Sequence, residues 1–309
     1  MISPITFDQL TGPPTDLELL DLLEFQLTKS AELFIAEVVK KGFSIDSLVF
    51  ECTYSPILAR AKITNKSSYK ITFGRTLTGA ILHMATSIAP GLQKDMKGCS
   101  EPETIRHAFN YISWLIFLHE VAHITHGHLE YIQSNGSNDY YEVNNQRLPL
   151  THLHIDLEES KRFWRALESE ADAYAISASL ATFSYINTNV WWNQLKLGAM
   201  TRHHGAMASA AFHLMHMLAN GHDDFRHPPA NIRLGISLAS IETLAKKMKW
   251  DVATTVEETV KGHYFMTSDI MGLDVDIKPQ LESAHYMLTL DYVIKRAGFA
   301  KFRIPTYLD

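Results

Sequence analysis

Residues 111–118, Tyr-Ile-Ser-Trp-Leu-Ile-Phe-Leu, are apolar on nearly every side of a helix. Such a helix has no face to turn toward water and folds only at the centre of something larger. A chain of 309 residues supplies enough sequence to surround it. Directly after this stretch stands His119-Glu120-Val121-Ala122-His123. Titratable groups at the end of a buried helix need partners or a metal ion, because burying them alone is costly.

A spacing of four places both imidazoles on one helical face, one turn apart, where they can reach a single zinc ion. Glu120 is rotated about 100° from His119. Its carboxylate can therefore meet a water at the metal without becoming a ligand, and can take a proton once zinc has lowered the pKa of that water. A third ligand has to come from elsewhere. His126 shares the helical face, but three ligands along one straight helix cannot close a tetrahedron. The metzincin arrangement is out of register, since positions 126 and 129 hold His and Leu.

Residues 167–175, Leu-Glu-Ser-Glu-Ala-Asp-Ala-Tyr-Ala, offer the carboxylates. Glu168 and Asp172 are four apart on a second helix, so Glu168 can complete the site while Asp172 orients a histidine through its free ring N–H. Glu170 points about 200° from Glu168, and Glu168 is preferred to it as the ligand. Ala171, Ala173 and Ala175 are small and suit close helix packing.

Around these motifs the periodicity predicts a helix over 17–41, short strands over 48–54, 57–63 and 69–73, and a helix over 78–88. From residue 101 onward the chain reads as helical: 102–131, 157–186, 191–219, 229–250 and 280–297. Residues 133–156 are polar and turn-rich and read as a long loop. The fold class is α+β and mainly helical. A single domain over 1–309 is expected, with a helix and small sheet in 1–100 and a helical body in 101–309.

Composition narrows the function. The net charge of −6 and pI near 6.2 give no reason to expect nucleic acid. Cys52 and Cys99 are too few for a disulfide framework and read as reduced thiols of a cytoplasmic protein. The N-terminus lacks the pattern of a secretory signal. Residues 173–195 and 203–222 carry no formal charge, but their Ser, Thr, Asn, His and Gly fit buried helices better than membrane spans. His203, His204, His213 and His216 crowd one segment and read as packing histidines.

Taken together, His119-Glu-x-x-His123 followed by Glu168-x-x-Ala171-Asp172 resembles the gluzincin peptidases of the HtpX and CAAX-prenyl-protease type. It is similar also to the Lit-type phage-exclusion peptidases. Arg226-His227-Pro228, with Arg233 six residues after the histidine, resembles the His-Pro segment of that group. The resemblance covers about 68–233. It implies a zincin-like fold, one zinc ion per chain, and His227 near the metal as a cap or an oxyanion donor, supported by Arg233. His128 matches a common extension that is not usually a ligand.

The activity so implied is zinc-dependent cleavage of a peptide bond in a protein or peptide substrate, with Glu120 as the base. Residues 69–73 would form the edge strand that holds extended substrate. The Lit-type likeness implies a latent enzyme of the bacterial cytoplasm, serving phage defence and raised by an activating partner, with residues 133–156 as a lid or trigger. Two other functions fit the same motif: a metallohydrolase of a non-peptide substrate, and a zinc-binding regulatory or toxin-like protein with little turnover.

Overall fold

The computed structural model describes residues 16–40, 45–54, 58–134, 157–186, 195–218 and 230–273. The elements run α1 (Leu17–Lys40), β1 (Ser47–Thr53), β2 (Ala59–Asn65), β3 (Ser68–Gly74), α2 (Arg75–Leu92), α3 (Glu101–Thr125) and α4 (His128–Ser134). They continue with α5 (Leu157–Ile186), α6 (Leu197–Leu218), α7 (Ala230–Met248), α8 (Val252–Tyr264) and a π-helical turn, Phe265–Ile270. The architecture is α+β and mainly helical, with one three-stranded sheet among the described residues.

Helix α3 is the axis of the molecule. It packs on α2, α5 and α6, and meets α1, β2 and β3 at the sheet end. From Tyr111 to Thr125 every residue is buried. Its start is held at Ser100, whose backbone N–H and hydroxyl both donate to the Glu103 carboxylate, at 2.8 and 2.7 Å. Just before the histidine motif an aromatic cluster fixes the helix to its surroundings. Trp114 and Phe117 stack at 5.0 Å between ring centres, Phe34 of α1 meets Trp114 edge-on at 5.2 Å, and Phe50 of β1 meets Phe117 at 5.4 Å and Phe73 of β3 at 5.1 Å. Each such pair adds about 0.5–1.5 kcal/mol beyond simple burial. Trp114 also donates its indole N–H to Thr182 of α5 at 3.1 Å, which ties α3 to the helix bearing the carboxylates.

The sheet departs from expectation in one consequential way. Its strand order is β1-β3-β2, with β1 parallel and β2 antiparallel to β3. Residues 69–73 therefore lie in the central strand, paired on both sides, and cannot be the edge that accepts an extended peptide. Alternation of apolar and polar residues reports a half-buried strand, but strand order depends on how the chain crosses over. Among the described residues the edges are β1 and β2; β2 makes the larger contact with α3, and β1 meets it through Phe50.

The helix expected over 102–131 is two helices. Gly127 takes φ 76°, a left-handed conformation that ends α3 and redirects the chain into α4. Tyr69 of β3 donates its hydroxyl to Glu130 on α4, which holds the redirected segment to the sheet. The expectation over 280–297 and almost all of the loop over 133–156 fall outside the described residues. None of the described helices is long and apolar enough to cross a membrane.

Candidate metal centre

Two helices build the site. On α3, the four-residue spacing places His119 and His123 one turn apart; on α5, the same spacing does so for Glu168 and Asp172. The helices approach closely because α5 turns small buried residues, Ala171, Ala175, Ala178 and Ser179, toward the interior. His119, Glu120, His123, Glu168 and Asp172 are all completely buried.

Three of these side chains converge on one point. His119 Nε2 lies 3.0 Å from His123 Nε2 and 3.2 Å from Glu168 Oε2, while His123 Nε2 lies 3.7 Å from Glu168 Oε1. Bonds of about 2.0–2.1 Å in tetrahedral directions put neighbouring ligand atoms about 3.3 Å apart. The observed separations bracket that value, so the triangle fits one ion without rearranging the helices. Two imidazole nitrogens and a carboxylate could together hold a metal ion.

Donor chemistry is set by what stands behind the ligands. His119 Nδ1 is 3.0 Å from Asp172 Oδ1. Arg233 of α7 donates to the same carboxylate from Nε at 2.7 Å and from Nη2 at 2.6 Å. Burial pushes the Asp172 carboxyl upward, but the Arg233 charge and the bonds from His119 and Arg233 outweigh it, and the net displacement is downward. Asp172 is thus an ionised acceptor. It accepts a hydrogen bond from the His119 Nδ1–H, which leaves Nε2 with its lone pair facing the triangle. Arg233 is itself buried, with its guanidinium 4.5 Å from the centre of the Phe212 ring on α6.

A second group adjoins the first. His123 Nδ1 is 2.9 Å from His128 Nδ1, and His128 Nε2 is 3.1 Å from Glu170 Oε2. Glu170 does turn away from Glu168, as its helical position requires, yet it meets His128 beyond the Gly127 bend and so lies against the site rather than outside it. His126, His128 and Glu170 also sit close enough to hold an ion. The tertiary position of His128 was hidden in the sequence, because it depends on where the glycine bend aims α4. Glu120 occupies the turn between the two histidines. His227 falls outside the described residues.

Residues 100–253 match the Peptidase U49 family. The match supports a peptidase, and with it a protein or peptide substrate. Every described site residue lies inside the Peptidase U49 span, from His119 to Arg233, whereas the sheet and α1 lie outside it. No curated protein and no solved structure matches the chain.

Other described histidines pack against neighbouring elements. His203 bonds Asp95 at 3.2 Å, and His204 Nδ1 pairs with the Tyr111 hydroxyl. Neither belongs to a metal-capable group among the described residues. Cys52 and Cys99 are free thiols, and burial pushes Cys52 up to about 12, which makes it unreactive.

Proposed function

We propose that the chain is a zinc-dependent endopeptidase in a single zincin-like domain. The observation that carries this is the buried triangle of His119, His123 and Glu168, backed by Asp172 and Arg233, inside the segment that matches a peptidase family. Zinc held there supplies a Lewis acid for the scissile carbonyl and lowers the pKa of the attacking water.

The chain's own residues do the rest. Glu120 takes a proton from the attacking water and returns it to the leaving amine. Asp172 holds His119 in the tautomer that presents Nε2, and Arg233 keeps Asp172 ionised. His227 is the proposed oxyanion donor, a role that rests on the HtpX and CAAX-prenyl-protease likeness. Substrate pairing belongs to an edge strand rather than to residues 69–73, and β2 is the edge with the larger contact to α3. Complete burial of the ligands and base supports latency, because the site must open before a polypeptide can enter. The cytoplasmic, phage-defence role and an activating partner follow from the Lit-type likeness and are proposed on that basis.

The experiment is a comparison of new protein N-termini in cells expressing the wild type or Glu120→Gln. The expected result is a set of cleavages present with the wild type and absent with the variant, whose metal content is unchanged. Identical sets of N-termini in the two would contradict an endopeptidase that uses Glu120.

A further inference from the structure

The two metal-capable groups share a histidine contact, and the protons on that contact can be counted. Resting on the reading that His119, His123 and Glu168 hold the ion, we infer that His128 and Glu170 form a relay that fixes the ring of His123. It is the counterpart of the Asp172 contact that fixes His119. The same count excludes His126, His128 and Glu170 as a second metal site while the first is filled.

The argument begins at His123. To offer a lone pair at Nε2 it must carry its proton at Nδ1. That atom faces His128 Nδ1 at 2.9 Å, so His123 donates and His128 Nδ1 accepts. An accepting Nδ1 leaves the His128 proton on Nε2. This atom is 3.1 Å from Glu170 Oε2, which accepts it. The direction of every bond follows from the first, and the chain of donors ends on a carboxylate. His128 is completely buried and Glu170 is 13% exposed at its side chain, so the last bond is shielded from competing water.

A second ion at His128 would need the lone pair on Nε2. The His128 proton would then sit on Nδ1 and point at His123 Nδ1, forcing the His123 proton onto Nε2. Nε2 stands 3.0 Å from His119 Nε2, inside the first triangle. A protonated nitrogen there cannot ligate. The two sites are thus exclusive, and three carboxylates of one helix divide the work: Glu168 ligates, Asp172 orients His119, and Glu170 orients His123 through His128. Gly127 is what makes the relay possible, because its left-handed conformation brings His128 back beneath His123. His128 and Glu170 are positioning residues, since they act on the ion only through His123.

Two measurements on the full chain test this. Nitrogen-15 resonance of ring-labelled, zinc-loaded protein should show protons on Nδ1 of His119 and His123 and on Nε2 of His128. A proton on Nδ1 of His128 would overturn the relay. Chelator competition should show zinc held about 10–100-fold more weakly by Glu170→Gln and His128→Leu, with about one equivalent bound. His128→Gln should recover most of the affinity, because its amide can accept from His123 and donate to Glu170. Unchanged affinity in Glu170→Gln, or a second wild-type equivalent lost in that variant, would overturn the inference. Glu168→Ala separates the two failures. Zinc retained by that variant sinks the triangle itself, while zinc lost there but held normally by Glu170→Gln sinks only the relay.

Discussion

Asp172 accepts from His119 and from two nitrogens of Arg233, with no exposure to water at its side chain. Such a buried cluster is costly to break from one side. We predict that Arg233→Met, which keeps length and apolar contact but removes the charge, lowers unfolding stability by about 3–5 kcal/mol, because Asp172 is left buried without its counterion. A denaturant titration of metal-free protein measures it, and a loss below about 1 kcal/mol would show that Asp172 does not depend on Arg233. Asp172→Asn makes a different prediction. The neutral amide accepts the His119 N–H only weakly, so zinc affinity per folded chain should fall about 10–100-fold, and Arg233, left buried without its counterion, should make this variant less stable as well. Affinity unchanged in that variant would remove Asp172 from the account. The pairing of Glu168 with Asp172 was legible because helical spacing alone puts them on one face. The part played by Glu170 was not, since spacing tells which way a side chain leaves its own helix and nothing about what waits there.

At the scale of elements, glycines set two of the decisive geometries. Gly127 ends α3 with φ 76°. Alanine in that conformation costs about 1–2 kcal/mol, so Gly127→Ala should destabilise the chain by roughly that amount and displace His128 from His123. Thermal unfolding checks the first effect, and a Gly127→Ala chain as stable as the wild type would contradict the strained bend. Gly205 and Gly262 let α6 and α8 cross in contact: a Cβ at Gly262 would stand 1.9 Å from the Arg202 carbonyl oxygen, and one at Gly205 would stand 2.2 Å from that of Thr259. The helix α8 was not legible in the sequence. Val252, Thr254, Thr255, Val256, Thr259 and Val260 are β-branched and weaken local helix preference. Packing on α6 overrides that preference, together with the Asp251 side chain, which accepts from the Thr254 N–H at 2.7 Å. By contrast, the helix over 157–186 was legible, because small and apolar residues recur at helical spacing from Phe163 onward. Strand positions were legible too, within a residue or two at most ends, while their order was not.

At the scale of the whole molecule, the interior holds histidines that stay neutral. Burial pushes His107 and His204 down to about 3, and His213 and His263 down to about 4, with neighbouring histidine charge adding to the burial effect at His107, His213 and His263. The folded values are depressed, so the unfolded chain binds more protons between these values and about 6.5. Stability contributed by these groups is therefore complete above about pH 6.5 and is lost as pH falls through 6.5 toward 4. Each such histidine removes up to about 1.4 kcal/mol per pH unit in that window. Metal-free protein should lose several kcal/mol of unfolding free energy between pH 7 and pH 5, and an equal value at both would contradict the burial of these rings as neutral bases.

The central claim, that α3 and α5 together hold one catalytic ion, is tested most directly by metal analysis of the wild type beside Glu168→Ala. Both proteins would be purified without chelator and counted for zinc per folded chain. The arrangement of His119, His123 and Glu168 predicts about one zinc in the wild type and little or none in the variant. A wild type without zinc, or a Glu168→Ala chain that keeps a full equivalent, would contradict it.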